Sequence, residues 1–369
     1  MIPGRNCAKT LRRCLGSVIE MLEERQLAEI IFVDDGSTDD TASIAAEYAI
    51  TVLTGEGRGP GAARNLGWRH STTDFVWFID SDCVAHSDAL EILLKHFSKE
   101  STRSEASEPK MESCLAGVGG SYSNLFPQSV LATLIHAEIV ARHRRMPQVV
   151  NFLATFNVLY RRDVLDQVGG FDESLKLAQD AELAFRICDA GHRLHFDIDS
   201  KVGHHHPTKL WGYLKTQARQ GYYRMALYRR HPGKIKGDSY AGLLDYVQPP
   251  LAMLLVASLP LIALSLVGLT WILILPTLLL LSLLLCQMPM AVKMSVGYRR
   301  VNVLYFVSMS SLRALARGIG MTLALVRFSE MWTGSCETPH RSAVPVCDVA
   351  KHHRLSMAAG VESHEGGTI

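Results

Sequence analysis

The sequence predicts an α/β fold, a parallel sheet with helices on both faces, followed by a helical hairpin embedded in a membrane. Three observations carry this. Short β-branched or aromatic runs at 29–33, 50–53 and 75–79 alternate with segments of helical character such as 40–48 and 61–70. Two of those runs end in carboxylates, Asp34-Asp35-Gly36-Ser37-Thr38-Asp39 after the first and Asp80-Ser81-Asp82 after the third. Between Tyr246 and Val292 there is not one Asp, Glu, Lys, Arg or His.

Taken in order, Met1-Ile2-Pro3 runs directly into a polar Gly4-Arg5-Asn6 turn, with no signal-peptide pattern. Strands alternating with helices imply a parallel sheet, whose ligands bind beyond the carboxyl ends of the strands, where the acidic loops fall. The polar, aperiodic stretch 99–113 reads as a surface loop, sheet signal returns at 115–119, and a helix covers 127–143. Another helix opens near Asp180: Ala181, Leu183, Ala184, Ile187 and Cys188 share one face, and Gly191 suits the stop.

Residues 208–231 interleave Trp211, Tyr213, Leu214, Tyr222, Tyr223 and Tyr228 with Lys and Arg, the composition of a helix lying in a headgroup layer. The uncharged run would make about 70 Å of helix at about 1.5 Å per residue, against about 30 Å for one crossing. Two spans fit, near 247–267 and 271–290, with the hinge at Val267-Gly268-Leu269-Thr270-Trp271. Basic residues on both flanks (Arg229, Arg230, Lys234 and Lys236; Lys293, Arg299 and Arg300) place both ends in the cytoplasm. Segment 301–328 is apolar to Leu312 and then carries Arg313 and Arg317. A third span would hold both in lipid at roughly 2.5–3.5 kcal/mol each, so an interfacial helix is expected. The tail 332–369, rich in Ser, His and Gly, reads as disordered.

The expected organisation is therefore a catalytic domain over 1–207, interfacial helices over 208–245, two membrane helices over 246–292, an interfacial helix or third span over 293–331, and the tail. A net charge of +2 over 369 residues argues against a nucleic-acid binder. The 8 cysteines form no C-x-x-C and read as reduced thiols.

Two carboxylates at i and i+2 after a buried strand suit a divalent cation bridging a diphosphate, because such a cation needs hard oxygen ligands. A lone D-x-D is more often a solvated turn with an Asx cap. Here it shares a sheet edge with a second acidic loop and the arginine-bearing helix start "GPGAARN". A dinucleotide reading of Gly57-x-Gly59-x-Gly61 fails, since Ala62 stands where G-x-G-x-x-G needs glycine.

"IPGRN" (2–6), "EIIFVDDGSTDDT" (29–41), "GPGAARNLG" (59–67), "FIDSDC" (78–83), "VGGFDE" (168–173) and "AQDAELAFRICDAGHRL" (178–194) together resemble a family 2 glycosyltransferase over roughly the first 205 residues. The resemblance implies a GT-A nucleotide-sugar-binding domain, Rossmann-like with a mixed, mostly parallel sheet, a nucleotide-sugar donor, Mn²⁺ or Mg²⁺, and inversion at the anomeric carbon. It implies that Pro3, Asn6 and Asp34 or Asp35 bind the nucleoside and that Arg64 lies near the diphosphate. Asp80 and Asp82 match the family's D-x-D, at the donor and the metal, with Asp82 the more direct ligand. Asp180 matches a general base for the acceptor hydroxyl, and His204 in "KVGHHHP" fits the spacing of a further metal ligand. A helix-start carboxylate favoured by the macrodipole and a solvated histidine run are the plainer readings of Asp180 and His204.

The sequence departs from the family at the short first strand, at Cys7 and Gln179 where relatives carry Glu, and in having "QARQGYY" (217–223) in place of Q-x-x-R-W. Single-sugar transfer is thus expected in place of processive polymerisation. The resulting expectation is an integral protein of the plasma membrane, with its catalytic domain cytoplasmic. It would act on a lipid-linked or membrane-proximal glycan acceptor, in contact with membrane lipid. The alternatives are a polyprenyl-phosphate glycosyl synthase, a processive synthase, and a non-catalytic scaffold keeping the fold; intact Asp80, Asp82 and Asp180 speak against the scaffold.

Overall fold

The computed structural model describes residues 1–23, 29–104, 114–234, 237–265, 268–297 and 302–329. The expected tail 332–369 lies outside them. Strands β1 (Ile2–Gly4), β2 (Ile31–Asp34) and β3 (Thr51–Thr54) pair in parallel, in the order β1-β2-β3. They are connected by helices α1 (Ala8–Glu23) and α2 (Thr41–Ala45), and α3 (Pro60–His70) leads on to β4 (Phe75–Ile79). The amino group of Met1 donates to the Trp77 carbonyl at 2.8 Å and the Ile79 amide donates to the Met1 carbonyl at 3.2 Å, which is parallel pairing between β1 and β4. These bonds extend the parallel part of the sheet to β4 even though β1 has only three residues.

Beyond β4 the pairing changes. The strands β5 (Cys83–Ala85), β6 (Leu115–Asn124), β7 (Val149–Val150), β8 (Asn157–Arg161) and β9 (Arg193–His204) complete the order β4-β8-β6-β9-β5, with β7 on β9. β8 runs antiparallel to both β4 and β6, β5 and β7 antiparallel to β9, and only β6 and β9 are parallel here. The sheet is mixed, as expected, with its continuous parallel run in the N-terminal strands and one further parallel pair, β6 with β9, beyond them. The alternating strand and helix pattern that suggested a parallel sheet ends at β4, and β8 returns from the opposite direction.

Alternation along the strands divides the core. Phe32, Trp77 and Ile79 face Leu11, Leu15 and Val18 of α1 together with Leu93 and Phe97 of α4 (Ala89–Ser104). Ile31, Val33, Val76 and Phe78 face Ala63 and Trp68 of α3, Val164 and Leu165 of α6 (Arg162–Val168) and Leu183 and Ile187 of α7 (Gln179–Asp189). Two covered faces explain why β2 and β4 read as almost unbroken apolar runs. The loop expected over 99–113 is instead helical as far as Ser104, where α4 ends; 105–113 lie outside the described residues.

The helix expected over 127–143 is α5 (Val130–His143), capped by Ser129, whose hydroxyl accepts from the Ala132 amide at 3.3 Å. Then follow α8 (Leu210–Arg230), α9 (Leu243–Ser258), α10 (Leu261–Ser265), α11 (Ile274–Leu285), α12 (Met288–Gly297) and α13 (Val303–Ser329). Two stretches, Leu243–Ala263 and Thr270–Ser295, are long and apolar enough to cross a membrane. Gly268, at the expected hinge, has φ +92°, a left-handed turn that favours glycine.

α13 does not run as a lone apolar helix. It crosses α8 so closely that a Cβ on Gly320 would come within 1.8 Å of the Ala218 carbonyl oxygen, and one on Gly221 within 2.2 Å of that of Arg317. Arg313, whose burial in lipid would have been costly, is ion-paired to Glu138 of α5. Glu138 also accepts from Arg142 Nη2 at 2.6 Å, and Arg142 binds Asp245 of α9 through Nη1 at 2.5 Å. Burial pushes the Glu138 carboxyl up, but the Arg313 and Arg142 guanidiniums outweigh it and hold the group down at about 2.

Candidate active site

A cleft of about 710 Å³ opens at the carboxyl ends of β1, β2 and β4. Asp35, Arg64, Asp80, Asp82 and Asp180 all line it, as does Pro3. Each reaches it by a distinct local device. Asp35 follows β2 and accepts from the Gly59 amide at 2.7 Å, while Gly59, at φ +107°, opens α3 with its backbone facing the cleft. Arg64, one turn into α3, is buried and donates through Nη2 to Asp80 Oδ1 at 2.6 Å. Gln179 turns its amide oxygen to Arg64 Nη1 at 2.7 Å, whereas Arg64 Nε is buried without a partner among the described residues.

Asp34 and Asn6 do not line the cleft. Asp34 Oδ1 accepts from the Ser37 amide at 2.9 Å and the Ser37 hydroxyl at 2.5 Å. Asn6, in a left-handed conformation at φ 52°, accepts through Oδ1 from the Thr38 amide at 2.8 Å. Asn6 fastens the β1 loop to the β2 loop, Asp34 shapes the β2 loop itself, and Asp35 is the acid of the pair that faces the cavity.

Strand register brings the remaining acid and the histidine together. Cys83 of β5 stands opposite His204 of β9, so Asp82, one residue earlier, has Oδ2 3.5 Å from His204 Nε2. Ligand atoms of Asp82, Cys83 and His204 lie within 4.8 Å of one another. A carboxylate and an imidazole at this spacing fit Mn²⁺ or a similar divalent cation, and leave coordination positions for phosphate oxygens. Cys83 fits less well, since a hard cation such as Mn²⁺ prefers oxygen and imidazole ligands to a buried sulfur. Burial pushes Asp82 up, partly offset by His204. Behind His204, Nδ1 of His206 lies 3.1 Å from Nδ1 of His204, a contact that orients the ring so that Nε2 faces Asp82.

Asp180 sits in the first turn of α7, where the helix dipole favours a carboxylate, and its Oδ1 accepts from the Ala181 amide at 2.8 Å. Burial nevertheless pushes its carboxyl above the ordinary range, although the Ala181 amide, Arg64 and Arg224 pull the other way. Immediately before the helix, Ala178 holds φ 64°, a strained left-handed conformation for a residue with a Cβ. That turn aims Asp180 into the cleft.

Arg5, Lys176, Arg219, Gln220, Arg224 and Arg317 also line the cavity, and sequence reasoning had not singled out any of them as site residues. Arg219, Gln220 and Arg224 lie on α8, whose basic and aromatic composition suggested only a membrane surface. The same helix buries Tyr213, Gln217 and Gly221 and leaves Trp211 80% exposed. Its period would have shown a second, inward face.

Residues 1–169 match the family described as Glycosyl transferase family 2. The chain is 32% identical over 242 residues to the pre-mycofactocin glycosyltransferase of Mycobacterium tuberculosis, covering 63% of this chain and 48% of that one. It is 28% identical over 231 residues to glycosyltransferase AglE of Haloferax volcanii, covering 60% and 70%. The chain thus spans about half the length of the first of these relatives. Among solved structures, the mannosyltransferase PcManGT from Pyrobaculum calidifontis, in complex with GDP-Man and Mn²⁺, is similar with a TM-score of 0.54. That likeness, at 19% identity, covers 90% of this chain and 86% of that one and is one of fold.

Proposed function

We propose, from the match of residues 1–169 to the family described as Glycosyl transferase family 2, that the protein transfers one sugar from a nucleotide-sugar donor to an acceptor hydroxyl, with inversion and with a divalent cation. The observation that carries this is the convergence of Asp35, Asp80, Asp82 and Asp180 on one cleft, with His204 beside Asp82. Four carboxylates facing one cavity are costly without ligands to meet them.

In this reading Asp35 and Pro3 hold the nucleoside, and Asn6 and Asp34 keep the loop beneath it in shape. Arg64 fixes Asp80 and lies beside the donor phosphates. Asp82 and His204 would hold the cation, which when bound would supply positive charge against the leaving diphosphate. Asp180 takes the proton of the acceptor hydroxyl as the new bond from that oxygen to the anomeric carbon forms. The bond from the anomeric carbon to the diphosphate oxygen breaks with its electron pair, and the nucleoside diphosphate departs from the opposite face. One displacement gives one inversion.

The two apolar stretches form a membrane hairpin in this reading. Leu254, Ile274, Leu278 and Leu285 are each more than half exposed, which suits contact with lipid. Arginines and lysines on both flanks support a cytoplasmic catalytic domain, with a lipid-linked or membrane-proximal acceptor within its reach. Asp180→Asn tests the assignment: it should abolish transfer while donor binding persists, and near-normal turnover would reject Asp180 as the base.

A further inference from the structure

Four arginines, Arg142 of α5, Arg224 of α8, and Arg313 and Arg317 of α13, cluster where the catalytic domain meets the hairpin, and they are not equivalent. Arg142 and Arg313 share Glu138, Arg142 also binds Asp245, and Arg224 Nη1 donates to Asp238 Oδ2 at 2.9 Å. Arg317 makes no direct ion pair among the described residues: the carboxylate that acts on it, Asp245, is hydrogen-bonded to Arg142 instead. Arg317 Nε donates to Gln217 Oε1 at 2.8 Å and its Nη2 to Gln220 Oε1 at 3.3 Å, both neutral amides, and its Nη1 meets no acceptor among the described residues. Burial, and then the Arg313 guanidinium, push Arg317 down to about 10. A guanidinium partly withdrawn from water beside other cations, with the carboxylate near it already bound by Arg142, is a poor arrangement for stability alone. An incoming anion would complete it.

The position is fixed and strategic. The close crossing at Gly221 and Gly320 locks α13 against α8, so Arg317 cannot swing away with its helix. Arg317 lines the catalytic cleft and also a second cavity of about 210 Å³, and the two share Gln220, Arg224 and Tyr240. The second cavity reaches Pro249 of α9 and Met321 of α13 and includes none of Asp35, Asp80, Asp82 or Asp180. It therefore connects the apolar helices to the cleft at a place separate from the candidate metal ligands.

We propose that Arg317, supported by Arg224 and the amides of Gln217 and Gln220, is a subsite for the phosphate of a phosphate-bearing acceptor, which anchors there and extends its hydroxyl toward Asp180. The proposal rests on the glycosyltransferase reading of the cleft and names the acceptor's class. A planar guanidinium suits phosphate because it donates two parallel hydrogen bonds. A lipid headgroup and a soluble phosphorylated acceptor present the same chemistry.

The test uses the full-length protein in phosphatidylcholine nanodiscs with EDTA, so that no cation bridges phosphate to Asp82, titrated with dodecyl phosphate and with inorganic phosphate. Dodecyl phosphate should bind the wild type, and Arg317→Gln should weaken it about tenfold or more, while Arg317→Lys, which keeps the charge but loses the paired donors, should fall between the two. Gln220→Glu, nearly isosteric, supplies a direct counter-ion and should weaken binding without disturbing packing. Binding of a nucleoside diphosphate with Mn²⁺, measured separately, should be unchanged in all three variants. Equal affinity of wild type and Arg317→Gln, or no binding by the wild type, would overturn the subsite. Preference for the alkyl phosphate would assign it to a lipid headgroup, and equal binding of inorganic phosphate to a soluble acceptor. Absence of donor hydrolysis by the wild type would count against the glycosyltransferase reading instead, so the two failures are separable.

Discussion

Arg64 Nη2 lies 2.6 Å from Asp80 Oδ1, the arginine side chain only 5% exposed and the aspartate 33%. A buried cation thus grips one acid of Asp80-Ser81-Asp82 from below, while the other acid turns to His204. The two carboxylates that looked alike in sequence have different environments: one is held by a guanidinium, the other faces an imidazole.

Arg64→Lys keeps the charge but loses the fork that reaches Asp80 and Gln179 together. Donor affinity should fall about tenfold, equivalent to roughly 1.4 kcal/mol. Calorimetric titration with the nucleoside diphosphate and Mn²⁺ measures this, and an unchanged affinity would remove Arg64 from the donor site.

His204→Ala should weaken Mn²⁺ binding about tenfold or more, whereas Cys83→Ser should leave it nearly unchanged, because a hard cation prefers the Asp82 carboxylate and the His204 imidazole to sulfur. Paramagnetic titration of Mn²⁺ distinguishes the two variants. The reverse order of effects would make the site a thiolate one.

Asp180 is pushed above the ordinary carboxylate range. As a base it must be ionised, so activity should fall as pH drops through that raised value, with an acidic limb of kcat/KM lying above about pH 4. Asp180→Glu should keep a limb and Asp180→Asn should keep no activity. A profile flat down to pH 4 would contradict the assignment.

Glu138, held at about 2 against an ordinary 4.5, contributes stability that is complete above pH 4.5 and is lost as pH falls toward 2. Arg313→Met should destabilise the protein by about 3–5 kcal/mol, since it strips a partner from a buried charge. Arg313→Met combined with Glu138→Gln should recover part of that loss, and its stability should depend less on acid. Unfolding in detergent at pH 7 and pH 4 reads both effects.

Much of the N-terminal half was legible because burial on both faces leaves β2 and β4 almost free of polar residues, and because Asp35, Asp80 and Asp82 follow strand ends directly. The hinge was legible at Gly268 because an uncharged run needed a turn. The antiparallel strands β5, β8 and β9 were harder. Their pairing, such as Cys83 opposite His204, depends on contacts between residues far apart in the chain, which local periodicity does not encode. The second cavity was invisible for the same reason. Arg317 has a neighbour in Gln217 only because Gly221 and Gly320 let two distant helices meet. His206 was hidden within a histidine run, whose members differ only once β9 fixes which ring faces Asp82.

The most direct test of the central claim incubates membranes holding the wild type or Asp180→Asn with Mn²⁺ and a panel of labelled nucleotide sugars, scoring both label transferred and nucleoside diphosphate released. The account predicts that one donor is consumed by the wild type, that release requires Mn²⁺, and that Asp180→Asn binds this donor without transferring its sugar. Consumption of no donor, or equal transfer by Asp180→Asn, would contradict it.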